Sequence, residues 1–192
     1  MKSFLPSMFY YGFPVVLLTT IDKDGNADVT PISCNFTLGT NAVIALVKLN
    51  KAYHNVMEVP EVVFNLPSAE MWEKVEAIAP YTAQNPVPPQ KVGKYAYTDD
   101  KFAIGGFTQL PSEKVRVPRI AECPIQAEAV VKRVNDRGTY ALIELEFVQV
   151  HAEDHLVMEE NKINPLAWEP LIYNFKHYYS LGEHKGLNFT IK

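Results

Sequence analysis

A mainly β fold, a barrel or a sandwich with a few short helices, is the architecture this sequence predicts. Three observations carry it. Six or seven runs of β-branched and apolar residues recur along the chain, and the helical stretches between them are too short to cover a parallel sheet. Two long neighbouring runs, 124–134 and 139–151, are joined by the turn "NDRG". At 192 residues and 47% apolar, the chain is long enough to bury such a core without disulfides, and is expected to form one domain over 1–192.

The elements follow in order. Val15 to Thr20 is a continuous apolar and β-branched run, expected to be a strand buried on both faces. "DKDGN" (22–26) is a turn in which Gly25 supplies a positive φ, and a second strand runs from Ala27 to Ser33. "NAVIALV" (41–47) is a third. Asn50 reads as the N-cap of a helix over 51–58 that stops before Pro60, and "EVVFNL" (61–66) is the next strand. Ser68 reads as the cap of a helix over 69–79, with Met71, Trp72, Val75, Ile78 and Ala79 on its buried face. Residues 80–98 hold four prolines and read as a long irregular lid over a binding site. "DDKFAIGG" (99–106) is a short helix ended by glycine. The strand after "NDRG" alternates Glu144 and Glu146 with Ile143, Leu145 and Phe147, so one of its faces is wet. A tail with Trp168 and "IYNFKHYYSLGE" (172–183) ends the chain.

Several function classes are excluded at this level. The net charge is −4 and lysine and arginine are nowhere clustered, which gives no footprint for nucleic acid. No stretch has the length of a membrane span, and the N-terminus lacks a signal-peptide pattern, so a cytoplasmic protein is expected. Cys34 and Cys123 lie far apart without metal-ligand spacing and are expected as reduced thiols in or near the core. His151 and His155 have the i, i+4 spacing of a metal pair, but on a segment leaving a strand they need not face each other, and no metal is expected. Neither a P-loop, a GxGxxG nor a GxSxG elbow is present.

Two features invite a ligand. "TPISCNFTLG" (30–39) interrupts apolar runs with Thr30, Pro31, Ser33, Cys34 and Asn35, which suits an edge strand or close approach to something polar. The helix start at Asn50 offers free N–H groups beside Lys48 and Lys51, a ready anion site.

Taken in order, "PVVLLTTIDKDGNADVTPISC", "NKAYHNV", "EVVFNLPS", "DKFAIGGFTQLPSEKVRVPRIAECPIQAEAVV" and "YYSLGE" resemble the flavin reductase and flavoredoxin family. That resemblance implies an FMN-binding split barrel of Greek-key type, a homodimer, and one flavin per subunit near the partner chain. It places Asp28, Thr30, Pro31, Ile32, Ser33, Cys34 and Asn35 beside the flavin ring, and Lys48, Asn50, Lys51, Ala52 and Tyr53 around the phosphate. Lys101 matches a lysine that reaches the cofactor, and Tyr140 and Tyr173 fall near positions lining the pocket. Two positions depart from the pattern. Ala52 stands where the family has Thr or Ser, forfeiting a charged hydrogen bond of about 1.5–3 kcal/mol. Cys34 stands where it often has Trp. The implied activity is an FMN-dependent oxidoreductase passing electrons from NAD(P)H or a redox protein. The alternative is a flavin carrier, store or sensor without turnover.

Overall fold

The computed structural model describes residues 1–189. Seven strands form one antiparallel sheet: β2 (Val16–Ile21), β3 (Ala27–Ile32), β4 (Asn35–Leu38), β5 (Asn41–Val47), β6 (Glu61–Leu66), β9 (Ile125–Asp136) and β10 (Tyr140–Ala152), in the order β3-β2-β6-β9-β10-β5-β4. β1 (Tyr11–Pro14), β13 (Ile172–Asn174) and β14 (His177–Tyr179) make a second, three-stranded sheet. The short pairs β7 (Gln109–Leu110) with β8 (Arg119–Ile120), and β11 (Val157–Met158) with β12 (Lys162–Ile163), complete the strands among the described residues.

The large sheet curls on itself. Val16 and Leu18, one strand in from the β3 edge, share a core with Ala42, Ile44 and Leu46, one strand in from the β4 edge. Opposite margins of a flat sheet could not do this. Helix α1 (Lys51–Glu58) plugs that core with Ala52 and Val56. β2 is buried along its whole length because its other face carries Leu17, which packs with Met71, Val75 and Ile78 around α2 (Trp72–Ile78) and with Phe102 of α3 (Lys101–Gly105). A strand covered on both sides has no reason to alternate, which is why its sequence does not.

β3 and β4 follow each other in sequence yet occupy opposite edges of the sheet. Ser33 and Cys34 therefore cross the seam where a closed barrel would have a strand ladder. The seam is tied by Asn35, whose Nδ2 donates to the Pro14 carbonyl at 3.1 Å. The architecture is a split barrel, and it explains Pro31: on an edge strand a missing N–H costs no ladder bond on the outer side.

Three expectations are corrected. β4 was not foreseen, since Phe36 and Leu38 lie exposed on an edge and carry no core pattern. The helix expected over 69–79 begins as a 3-10 turn, Ala69–Met71, before α2. The tighter turn changes the phase of the following residues, so Met71, Val75 and Ile78 are buried while Trp72 is 45% exposed. Finally, neither Ser68 nor Asn50 caps its helix through its side chain.

Candidate functional site

The start of α1 is enclosed by the loop at 80–98. Asn50 and Ala83 form an antiparallel bridge, Gln84 donates its N–H to the Leu49 carbonyl, and the Lys51 N–H meets the Thr82 carbonyl at 3.4 Å. The loop brings Lys91 inward. Its ammonium donates to Asn50 Oδ1 at 2.5 Å, to the Thr82 carbonyl at 3.1 Å and to Thr82 Oγ1 at 3.2 Å, and lies 4.8 Å from the Tyr95 ring centre. Lys51 sits over Tyr97 at 5.4 Å.

A third lysine approaches across the β3 edge. Lys101, the first residue of α3, is 1% exposed and places Nζ 2.9 Å from Asp28 Oδ1 and 3.5 Å from Thr30 Oγ1. Thr30 Oγ1 in turn donates to Asp28 Oδ2 at 3.3 Å. Asp28 and Thr30 alternate with outward-facing Val29, so the strand period itself delivers both to one face. The lysines feel one another. Burial lowers the Lys101 ammonium, Asp28 counteracts this, and Lys51 lowers it further. Burial and then the charge of Lys101 bring Lys91 down to about 8. Asp22, whose carboxylate is already taken up by Asn26 and the Asp24 N–H, also feels Lys51. Cations gathered at the positive end of a helix repel each other unless an anion joins them.

From this corner a row of tyrosines leads to the seam. Burial first, and then the charges of Glu76 and Tyr95, raise the Tyr173 phenol. The Tyr10 and Tyr173 rings are 5.9 Å apart, and Tyr10 Oη lies 3.5 Å from Cys34 Sγ. The Cys34 contact, then burial, push the Tyr10 phenol up to about 12.

The residues singled out from the sequence thus divide. Asp28, Thr30, Asn50, Lys51 and Lys101 converge on the lysine corner, while Cys34 and Tyr173 converge on the seam. Asn35 ties the seam, Pro31 and Ser33 lie along the edge strand and its exit, and Ile32 packs on the barrel core. Lys48 is drawn elsewhere: its ammonium is held by Asp136 at 2.6 Å across the barrel, where the β9–β10 turn supplies a carboxylate. Tyr140 pairs with Val47 at that same end, 40% exposed, and is not brought to the corner by any contact. Ala52 is fully buried in the barrel core, and Tyr53 packs against that core with its N–H given to the Asn50 carbonyl at 3.2 Å. The loop 80–98 packs over the start of α1. Sequence reasoning missed Lys91, Thr82, Tyr95 and Tyr10. A lysine among prolines carries no local signal of its partner at position 50.

His151 and His155 diverge to different carboxylates, His151 Nε2 to Glu128 at 2.7 Å and His155 Nδ1 to Glu153 at 3.2 Å. Cavities of about 590 Å³, between α2 and β14, and about 210 Å³, beside Trp168, contain none of the lysine-corner residues. Among the described residues no helix is long and apolar enough to cross a membrane.

The family model described as "Flavin reductase like domain" matches residues 8–182, and the chain belongs to that family. An uncharacterised protein of Bacillus subtilis (strain 168), YdfE, is 38% identical over 193 residues, covering 98% of this chain and 93% of its own. Flavoredoxin of Desulfovibrio vulgaris (Miyazaki F) superposes with a TM-score of 0.83 at 20% identity, covering 100% and 99% of the two chains. An FMN-binding protein from Thermus thermophilus, solved with bound 1-cyclohex-2-enone, gives 0.74 at 14% identity over 98% and 97%. The split barrel is thus the shared fold, and a flavin-related function goes with the family.

Proposed function

We propose that this protein is an FMN-dependent oxidoreductase, a cytoplasmic homodimer whose subunits each hold one flavin, with electrons arriving from NAD(P)H or a redox protein. The observation that carries it is the pair Lys51 and Lys91 at the start of α1, within electrostatic reach of Lys101, with one carboxylate, Asp28, committed to Lys101. The residues fit the group. A phosphomonoester concentrates two negative charges on one phosphorus, matching two ammonium groups that form no ion pair with a carboxylate among the described residues. A dinucleotide spreads the same charge over two phosphates, which favours FMN over FAD.

The bound flavin would supply the hydride and single-electron chemistry. The chain's own tasks are then to anchor, orient and shield. Lys51 would neutralise the phosphate at the start of α1 with Lys91 buried behind it, and the β3 edge from Thr30 to Ser33 would flank the ring. Tyr10 and Tyr173 would wall the seam end, where Cys34 leaves room that an indole would fill. Lys101 is held by Asp28 and Thr30 at the join of these two regions, suited to the polar middle of the ligand.

The test is the visible spectrum of the purified protein and its titration with FMN, FAD and riboflavin, followed by NADH or NADPH without oxygen. A yellow protein that binds FMN most tightly and is bleached by a reduced nicotinamide is the expected result. Bound flavin that neither nicotinamide bleaches favours a redox-protein donor or the carrier role. Protein that stays colourless with every flavin overturns the proposal.

A further inference from the structure

An asparagine at a helix start ordinarily turns its side-chain oxygen back onto the N–H groups of the first turn. Asn50 has the extended backbone of such a cap, φ −93° and ψ 144°, but makes no capping bond. Its Oδ1 accepts from Lys91 instead. An ammonium only donates, so the atom it meets must be the amide oxygen, and the Nδ2 donors are turned the other way. We propose that Lys91 is a positioning residue that determines specificity: by engaging the Asn50 oxygen it keeps that side chain off the first turn of α1 and holds a cation without a carboxylate partner behind the helix start, and so makes the protein select a phosphorylated flavin over the same ring without phosphate. This inference rests on the flavin reading above.

The surroundings of Lys91 support it. The residue is 7% exposed, and all three of its protons go to neutral oxygens of Asn50 and Thr82. Among the described residues no carboxylate pairs with it. The titratable groups around it are Tyr95 from its own loop and Lys101 from α3; Lys51 acts through Lys101, and Asp28 is spent on Lys101. A cation buried behind a helix start, among other cations, is unfavourable alone and favourable once an anion arrives. Being already lowered to about 8, Lys91 also couples binding to protons. Below that pH it is charged in the free protein. Above it a dianion must draw a proton in, so affinity falls by up to about tenfold per pH unit until the ammonium of the complex titrates.

The experiment measures FMN and riboflavin dissociation constants by flavin fluorescence between about pH 6.5 and 9.5 for the wild type, Lys91→Met and Lys91→Arg. The expected wild type prefers FMN, and the preference shrinks above pH 8. Lys91→Met should cut the preference by about tenfold or more and flatten its pH profile. Lys91→Arg, always charged, should keep the preference without the pH dependence. Riboflavin affinity should change little, which a merely structural loss would not spare. An unchanged FMN-to-riboflavin ratio in Lys91→Met, or a wild-type ratio independent of pH, overturns the inference. Should Lys91→Met not fold, the wild-type profile and Lys91→Arg decide it alone. A wild type that binds neither flavin instead overturns the flavin reading itself, and the inference with it.

Discussion

The pair Asp28–Lys101 is the most consequential contact at the level of single residues. Both side chains are at most 2% exposed, so each charge depends on the other for compensation. Removing one partner of such a pair strands the other, which costs about 3–5 kcal/mol, whereas removing both is far milder. Lys101→Met should therefore lower the unfolding free energy of the flavin-free protein by about that amount, with Asp28→Asn/Lys101→Met recovering a large part, as read from urea denaturation. Lys101 and Asp28 were each singled out only through the family resemblance, and that the two would pair was not legible. Lys91 was not legible, and neither was the pairing of Lys48. What decides each is a partner far along the chain, Asn50 for the one and Asp136 for the other, and neither leaves a trace in local spacing.

Among elements, the turn at 113–115 hangs on one carboxylate of β9. Glu128 is fully buried and accepts N–H bonds from Glu113 at 2.9 Å, Lys114 at 2.6 Å and Val115 at 3.1 Å, with His151 Nε2 at 2.7 Å. Burial opposes its charge, but these donors outweigh it and hold the carboxyl below the ordinary range. Because the folded value lies below the unfolded one, this stabilisation is present in full above the ordinary glutamate pKa. It is lost as pH falls through the lower folded value. Glu128→Gln should weaken the acid dependence of stability, and the amides of Glu113, Lys114 and Val115 should exchange with deuterium faster at neutral pH. α3 ends on two glycines with different duties. Gly106 adopts the left-handed cap at φ +60°, as the sequence suggested. Gly105 is required by packing, since a Cβ there would stand 2.2 Å from Phe107 Cε2. Gly105→Ala should cost about 1–3 kcal/mol in thermal or urea unfolding by displacing that ring from the outer core. The elements legible in advance, β5, α1 and β6, are those whose apolar pattern reports their burial. β4 and the 3-10 turn before α2 were not, one having no core face and the other altering the helical phase.

For the molecule as a whole, the fold follows from chain-wide order more than from any motif. Apolar runs set the strands, and shared membership of one core shows that the sheet must curl. The tyrosine row lies by the seam, where the chain crosses from one sheet margin to the other without a ladder. The proposed homodimer would supply a wall there. The expected outcome is a species of twice the chain mass in sedimentation, with flavin release accelerating on dilution below the dimer dissociation constant. A monomer that holds FMN equally well at every concentration would separate the cofactor from the dimer.

The passage from β3 to β4 sets a limit on how the barrel can deform. Ser33 and Cys34 are the whole leash between two sheet margins, and three Cα steps reach no further than about 10–11 Å. However far the free ends swing, the margins cannot part beyond that at this point, so the slit widens as a wedge about a fixed vertex. Each residue inserted there would lengthen the leash by about 3.3–3.6 Å and loosen the vertex, turning a hinge of set aperture into a slack gap.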